Sequence, residues 1–418
     1  MNKDKKLIPE LRFPEFKNEG EWMIEELGQL SEIVRGGSPR PIQDFLSTSN
    51  DGLNWLKIAD VSSESKYIIG TKEKVIREAL SCTREVNPGD LILSNSMSFG
   101  RPYILKIKTC IHDGWIAIRK ISSKTFEDYL YYFISSESSQ SYFNTNAAGA
   151  AVKNLNADII KLLPIHFPKN KGEQQKIAAC LSSLDEVIAA HSQKLELLKD
   201  HKKGLMQNLF PQEGEKVPKF RFKEFENDGE WVEKSLGEIG EIITGNTPST
   251  NEPINYNGNK LFVSPADING NRYITQTKTT LSDIGFSKTR QIQANSVLFV
   301  CIGSTIGKVA QNKVDSATNQ QINSIIPFTD YSSDFLFSVL EYSAKQISEL
   351  AGIQAVPIIN KTQFSSVKLL FPKPKEQQII ASCLSSLDAL IAEQTDKIEQ
   401  LKLHKKGLMQ GLFPKIND

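Results

Sequence analysis

The stretch Glu173–Pro211 reads EQQKIAACLSSLDEVIAAHSQKLELLKDHKKGLMQNLFP, and it returns at Glu376–Pro414 as EQQIIASCLSSLDALIAEQTDKIEQLKLHKKGLMQGLFP. The two copies align without a gap and are identical at 27 of 39 positions. A repeat of this length in a chain of 418 residues predicts two halves of one construction, each ending in an equivalent long segment.

Both copies have the apolar spacing of a coiled-coil helix. Leucine and isoleucine recur at alternating steps of four and three, as in Ile177, Leu181, Leu184 and Ile188. Each copy also has two polar residues in this seam, His191 and Lys202 in the first and Gln394 and Lys405 in the second. We predict that the two helices pair antiparallel within one chain, with pseudo-two-fold symmetry between the halves. The alternative is that each helix packs only on its own half.

The remainder of each half repeats more loosely. Near the start, PELRFPEF at 9–16 and GEW at 20–22 return as PKFRFKEF at 218–225 and GEW at 229–231. The turn Gly36-Gly-Ser38-Pro39 returns as Gly245-Asn-Thr247-Pro248. Between such turns lie short β-branched stretches typical of strands, namely 90–94, 115–118, 297–300 and 322–326, followed by predicted helices at 126–143 and 334–350.

The predicted fold class is therefore α+β, with a β-rich domain followed by a long helix in each half. The predicted boundaries are 1–172 and 212–375 for the two β-rich domains, and 173–211 and 376–418 for the two helices.

Composition indicates a folded cytoplasmic protein. Charged residues make up 24% and hydrophobic residues 39% of the chain. It lacks an 18-residue apolar run and a signal-peptide pattern, so we expect neither a membrane span nor contact with a membrane. The five cysteines are odd in number and lack CxxC spacing, which favours reduced, packed thiols.

The central regions of the halves are mildly basic although the net charge is only +1. Lysine and arginine outnumber acidic residues by 13 to 9 from Val34 to Lys120 and by 7 to 4 from Thr244 to Phe328. This excess fits a nucleic-acid-binding surface, and ordinary surface scatter is the alternative.

A catalytic set is missing from the sequence. The five histidines do not have metal-ligand spacing. Gly303-Ser-Thr-Ile-Gly307-Lys308 is similar to a phosphate loop, but it is one residue short between the glycines and lacks the hydroxyl residue after the lysine. We expect this turn to contact a DNA phosphate instead. Neither a GxGxxG fingerprint nor an Asn-Pro-Pro-aromatic tetrad is present. We therefore expect a non-catalytic chain, with a nuclease or methyltransferase as a rival reading.

The chain resembles the specificity subunit of type I restriction–modification systems over essentially its whole length. The resemblance lies in Phe-Pro-Glu-Phe with Glu-Trp, in the Gly-x-(Ser/Thr)-Pro turn, and in the paired Glu-Gln-Gln-x-Ile-Ala helices that end in Lys-Lys-Gly-Leu-Met-Gln. It implies two target recognition domains that each read one half of a bipartite, asymmetric site on double-stranded DNA. It also implies that the helices hold the domains apart and dock two methyltransferase subunits, through which restriction and translocase subunits join. S-adenosylmethionine, ATP and Mg are expected on those partners and not on this chain. A stand-alone tandem DNA-binding regulator or architectural protein is the alternative.

Polar side chains in the divergent loops are the candidates for DNA contact, and a solvated loop residue is the alternative for each one. In the first half they are Arg35, Ser38, Arg40, Asn95, Ser96, Ser98, Arg101 and His112. In the second half they are Asn246, Thr247, Asn271, Arg272, Ser304, Thr305, Lys308, Asn319 and Gln320. The candidates for partner docking are the apolar helix ends, Leu205, Met206, Leu209, Phe210, Leu408, Met409, Leu412 and Phe413, with a core role as the alternative.

Overall fold

The structure is a computed structural model, and it describes residues 7–62, 65–95, 99–147, 155–352 and 356–414. The chain forms two compact units. The first unit contains Met1–Ala190 together with Ile398–Asp418, and the second contains His191–Lys397. Each long helix is therefore divided between the units. Within the described ranges, every helix is too short or too polar to cross a membrane.

The helices and strands of the two halves follow a similar order along the chain. The helices are α1 Leu27–Leu30, α2 Glu127–Ser135, α3 Glu137–Asn146, α4 Ala157–Lys161, α5 Lys171–Leu209, α6 Leu236–Ile239, α7 Asp283–Ser287, α8 Ser333–Glu349, α9 Lys361–Ser365 and α10 Pro374–Leu412. The strands of the first half are β1 Met23–Glu26, β2 Glu32–Arg35, β3 Leu46–Ser47, β4 Leu53–Leu56, β5 Tyr67–Ile68, β6 Glu73–Val75, β7 Arg84–Val86, β8 Leu91–Ser94, β9 Pro102–Leu105, β10 Thr109–Ile111, β11 Trp115–Arg119 and β12 Pro164–Phe167. Those of the second half are β13 Val232–Ser235, β14 Gly240–Thr244, β15 Tyr256–Val263, β16 Tyr273–Ile274, β17 Thr279–Leu281, β18 Gln291–Ile292, β19 Val297–Val300, β20 Val309–Asn312, β21 Ser316–Thr318, β22 Ile322–Pro327 and β23 Lys368–Phe371.

The sheets of the two units correspond. In the first unit the strand orders are β2-β11-β8-β9-β5 and β3-β6-β4-β10-β7, and in the second they are β14-β22-β19-β20-β16 and β17-β15-β21-β18. A short antiparallel pair, β1 with β12 or β13 with β23, precedes the long helix in each half. The predicted α+β class and the four predicted strands are confirmed.

The central strands β8 and β19 are buried on both faces. Leu91 and Leu93 of β8 lie in the core that includes α2 and the long helices, whereas Ile92 lies in the core between the two sheets. In the second unit, Val297 and Phe299 of β19 lie in the core that includes α8 and the long helices, whereas Leu298 lies in the core between the two sheets. Because successive side chains of a strand point to opposite faces, a continuous apolar run at these positions fits a strand between two layers.

The antiparallel arrangement of the long helices is visible in each unit separately. In the second unit, Lys202 of α5 lies 2.6 Å from Asp388 of α10. His191 lies earlier than Lys202 on α5, yet it contacts Gln394, which lies later than Asp388 on α10. In the first unit, Lys405 lies 2.5 Å from Asp185. The polar seam residues predicted from sequence are therefore paired across the helices, which restricts the register in which the helices pack.

The predicted helix at 126–143 is two helices. The helix is interrupted at Ser136, between α2 and α3. The Ser136 side chain accepts a hydrogen bond from the Ser139 amide and so caps the start of α3. The corresponding segment of the second unit, α8, is continuous over 17 residues. Serine favours a cap over a helix interior, which accounts for the break.

Much of the apolar surface at the ends of the long helices belongs to the protein core. Met206, Leu209 and Phe210 are buried in the core of the second unit, with Leu205 at its edge. Leu412 and Phe413 are buried in the core of the first unit, with Leu408 and Met409 at its edge. Rings of Phe413 and Phe133 lie 5.5 Å apart in an edge-to-face arrangement. This packing supports the core alternative for the buried side chains. Leu205, Leu408 and Met409 are only partly buried, and docking at the helix ends stays a prediction.

Candidate nucleic-acid interface

In each unit, two turns meet where neighbouring strands end and begin. In the first unit β2 ends at Arg35 and β11 begins at Trp115, and these strands are antiparallel neighbours. The turns 35–40 and 112–114 therefore lie side by side, and we call them the first junction. The Gly36 amide donates to the Trp115 carbonyl over 2.9 Å. The polar groups of both turns are brought together by this pairing.

Glycine is needed at position 36 because the turns approach very closely. A Cβ on Gly36 would lie 2.1 Å from the His112 carbonyl oxygen. The same holds for Gly245 in the second unit, where a Cβ would lie 2.2 Å from the Thr318 carbonyl oxygen. The glycines at the start of the repeated Gly-x-(Ser/Thr)-Pro turn thus build the junctions.

Asp113 is the centre of the first junction. Its Oδ1 accepts a 2.8 Å hydrogen bond from the Ser38 hydroxyl, and its Oδ2 lies 3.2 Å from Nη2 of Arg40. Its backbone carbonyl accepts hydrogen bonds from Nδ2 of Asn95 and Nε of Arg35. The Ser38 hydrogen bond, aided by the charges of Arg40 and Arg35, lowers the pKa of Asp113 and keeps it a carboxylate.

His112 supports its own turn and is not a cation. Its Nδ1 accepts a 2.8 Å hydrogen bond from the Gly114 amide, and its ring packs 6.2 Å from the rings of Trp55 and Trp115. Burial lowers the pKa of His112 below its ordinary value, against the opposing charge of Asp113. The neutral ring leaves Nε2 as a hydrogen-bond donor.

The second junction, formed by the turns 244–249 and 319–321, has the same construction with different side chains. The Gly245 amide donates to the Ile322 carbonyl over 3.1 Å. The Thr247 hydroxyl donates to Oε1 of Gln320 over 2.8 Å, matching the bond from Ser38 to Asp113. Oδ1 of Asn319 accepts from the Gln321 amide, as His112 does from Gly114. A charged carboxylate in one junction is thus replaced by a neutral amide in the other.

Asn246 joins a further loop to the second junction. Its Nδ2 donates to the Lys288 carbonyl and its Oδ1 accepts from the Arg290 amide. Arg290 in turn donates to the Thr244 carbonyl over 2.7 Å. Arg290 was not among the sequence candidates, and neither was Asp113.

Two cationic side chains predicted to contact DNA instead bind groups of the protein itself. Arg272 is buried, and its guanidinium contacts Asp334, Asp388, Gln311 and Ser385. It fixes its sheet to α8 and α10, and this buried position does not favour a DNA contact by Arg272. Lys308 donates to the carbonyls of Pro265 and Ile268, over 3.1 and 2.7 Å, and so closes a loop of its own unit. The proposed phosphate contact by this lysine is not favoured.

The other candidates are scattered. Arg101 lies over the ring of Tyr103 and lines a cleft of about 1230 Å³ in the first unit. Ser304 and Asn271 are exposed and Thr305 is half-buried. Ser96 and Ser98 lie outside the described residues. The structure therefore brings together Arg35, Ser38, Arg40, Asn95 and His112 in one junction and Asn246, Thr247, Asn319 and Gln320 in the other.

In the described part of the chain, no group of three or more histidine, cysteine or acidic side chains is placed to hold a metal ion. All five cysteines carry free thiols. Burial raises the pKa of Cys301 to about 12 and that of Cys110 to about 11, which keeps both thiols protonated.

The structure thus has a duplicated α+β frame, two unlike polar junctions at strand ends and two paired long helices. The family described as type I restriction modification DNA specificity domain matches the chain twice, at residues 19–200 and 228–403. The chain belongs to this family.

Relatives and solved structures agree with this assignment. The chain is 24% identical over 425 residues to the type I restriction enzyme MjaVIII specificity subunit of Methanocaldococcus jannaschii, covering 96% of this chain and 93% of that one. It is 35% identical over 147 residues to the HindI specificity subunit of Haemophilus influenzae, a match that covers 34% of this chain and 32% of that subunit. The fold matches the crystal structure of a type I restriction–modification S subunit from M. genitalium with a TM-score of 0.63 and 14% identity, over 98% of this chain and all of that one.

Proposed function

We propose that this chain is the non-catalytic specificity subunit of a type I restriction–modification complex and that it reads a bipartite, asymmetric DNA site. One observation carries the proposal. The two junctions share backbone construction and the hydroxyl hydrogen bond, yet they present Arg40 and Asp113 in one unit and Ser249 and Gln320 in the other. Equivalent positions with different hydrogen-bonding groups suit two readers of different base sequences.

We assign the catalytic reactions of the complex to its partner subunits. Methyltransferase subunits with S-adenosylmethionine would modify the site, and restriction subunits with ATP and Mg would join through them. The junctions supply hydrogen-bond donors and acceptors for base edges, together with cations for phosphates.

Two methyltransferase subunits require two docking faces, and the long helices offer one in each unit. Val187 on α5 is 43% exposed and Leu390, its equivalent on α10, is 48% exposed. Large apolar side chains repeated at equivalent exposed positions suit a protein interface. We infer that these faces, and not the buried helix ends, hold the partners. Val187→Asp and Leu390→Asp should each remove one methyltransferase subunit, which the mass of the purified complex measures, and the double variant should remove both.

Exchange of residues 1–172 for the same region of a relative tests the reading of two half-sites. Methylome sequencing of cells carrying the hybrid should show one new and one unchanged half-site. Change in both half-sites, or in neither, would contradict a modular reader. A chain that binds DNA alone and ignores methyltransferase subunits in a pull-down would instead be a stand-alone regulator.

A further inference from the structure

Arg40 in the first junction combines high exposure with a fixed partner. Its side chain is 82% exposed, yet Nη2 lies 3.2 Å from Oδ2 of Asp113. Within the described contacts, this is the bond that the Arg40 side chain makes. Nε, Nη1 and the second N–H of Nη2 therefore keep their hydrogen-bonding capacity, which leaves one two-donor edge of the guanidinium for a ligand. An exposed arginine without a partner would sample many rotamers, and ordering it on binding would cost free energy.

The carboxylate that holds Arg40 is itself held from several sides. Ser38 donates to Oδ1 of Asp113, and the Ser38 oxygen accepts from the Asp113 amide over 3.3 Å. Asn95 and Arg35 bind the Asp113 carbonyl over 2.9 and 3.0 Å. Asn95 is itself only 3% exposed. Asp113 therefore sits on a rigid support, and the direction of the Arg40 guanidinium is set by the fold of the junction.

The second junction has no counterpart of this pair. Ser249 stands at the position equivalent to Arg40, and Gln320 at that of Asp113. Oε1 of Gln320 accepts the Thr247 hydroxyl, which leaves its amide donors available. The largest chemical difference between the two junctions is therefore a guanidinium fork in one and a neutral amide in the other.

We propose that Arg40 is a specificity-determining residue that reads a guanine in the half-site of the first unit, with Asp113 as its positioning residue. This inference rests on the proposed function and deepens it. Guanine presents two acceptors, N7 and O6, at its major-groove edge, and the arginine fork binds both. A phosphate also accepts the arginine fork but carries no sequence information, so a side chain that differs between the two junctions is of use chiefly at a base edge.

The primary test is Arg40→Lys in the complete complex with its methyltransferase subunits. Lysine keeps the charge and loses the fork. Methylome sequencing should show that one guanine of one half-site is relaxed, with discrimination against other bases reduced about tenfold to a hundredfold. The other half-site serves as the internal control and should be unchanged. Because Arg40 is highly exposed, the melting temperature should not move.

A second variant separates positioning from contact. Asp113→Asn removes the carboxylate and should relax the same guanine position, by less than Arg40→Lys does. The double variant should match Arg40→Lys alone, because Asp113 acts through Arg40. A merely structural role for Asp113 would instead lower the melting temperature without changing the recognised sequence.

Three outcomes would overturn the inference and leave the proposed function standing. The first is an unchanged motif in both variants. The second is uniformly weaker methylation of an unchanged motif, which would mark a phosphate contact, and the third is a first half-site without a guanine–cytosine pair. A wild-type complex whose methylation is not bipartite would contradict the proposed function itself.

Discussion

Arg12 and Glu173 form a bidentate ion pair, with Nε to Oε1 at 2.7 Å and Nη2 to Oε2 at 2.8 Å, inside the first unit. Nε1 of Trp22 donates to the same carboxylate over 3.3 Å, and Arg12 also binds the Gly20 carbonyl. The second unit repeats this set with Arg221, Glu376, Trp231 and Gly229. The arginine of each repeated N-terminal motif thus ties that motif to the first turn of the long helix of its own half.

Glu173→Gln should destabilise the first unit by about 3–5 kcal/mol, because it leaves the buried Arg12 charge without a partner. Urea denaturation of the full chain measures this change. Glu186→Gln is the matched control, since Glu186 is exposed on the same helix, and it should change stability by less than about 0.5 kcal/mol. Equal effects of the two substitutions would show that the ion pair is not a structural element.

Leu412→Ala should destabilise the first unit by about 2–5 kcal/mol, because Leu412 is 4% exposed and its loss leaves a cavity. Leu403→Ala on the same helix is the control, since Leu403 is 67% exposed and should be nearly neutral. Thermal melting measures both. If Leu412→Ala melts like the wild type but loses the methyltransferase subunits, then the helix end is a docking surface after all.

Gly36→Ala should abolish DNA binding by the complex, because the new Cβ would lie 2.1 Å from the His112 carbonyl oxygen and the turns would separate. Fluorescence anisotropy with a cognate duplex measures binding. Gly70→Ala is the control, because a Cβ at Gly70 meets nothing within 4 Å. Wild-type affinity for Gly36→Ala would show that the first junction does not take part in DNA binding.

His166 should make the first unit sensitive to acid. Burial lowers the pKa of His166 to about 4 from an ordinary value of 6.5. A lowered histidine pKa means that the unfolded chain binds the extra proton between these values, so stability is complete above pH 6.5 and falls as the pH drops towards 4. The loss should be on the order of 3 kcal/mol.

His166→Leu isolates this contribution. His166 pairs with Ile24 in the β1–β12 ladder, and the same place in the β13–β23 ladder holds Leu370. The variant should therefore fold and lose part of the acid sensitivity, which melting temperatures between pH 4 and pH 7 measure. Identical pH profiles for variant and wild type would show that His166 is not a source of the acid sensitivity.

The arrangement of two similar halves with long helices was predictable, because the sequence patterns that indicate it are local and occur in both halves. The heptad spacing defined the long helices, and the Gly-x-(Ser/Thr)-Pro turn marked a glycine that the close approach at Gly36 requires. The helix ends, which are nearly identical in the two halves, were harder to interpret. Similarity between the two copies does not show whether a leucine such as Leu412 is buried in the core or exposed to a partner. Burial depends on neighbours such as Phe133 that are distant in sequence.

Polar residues were less predictable for the same reason. In sequence, Arg272 and Arg40 are both loop arginines, but Arg272 meets Asp334 and Asp388, which lie far along the chain. Asp113 was missed because a carboxylate repels phosphates when considered alone. Its use as a support for Arg40 depends on the pairing of β2 with β11, which brings the two turns together.

The division of the long helices between the units has a consequence for synthesis. The core of the second unit is built from one continuous stretch, His191–Lys397. The core of the first unit also contains Leu412 and Phe413, which follow the whole of the second unit in the chain. Domains usually fold in the order in which they are made. In this chain we expect the second unit to complete its core before the first unit does, because residues of the first core follow the second unit in the chain.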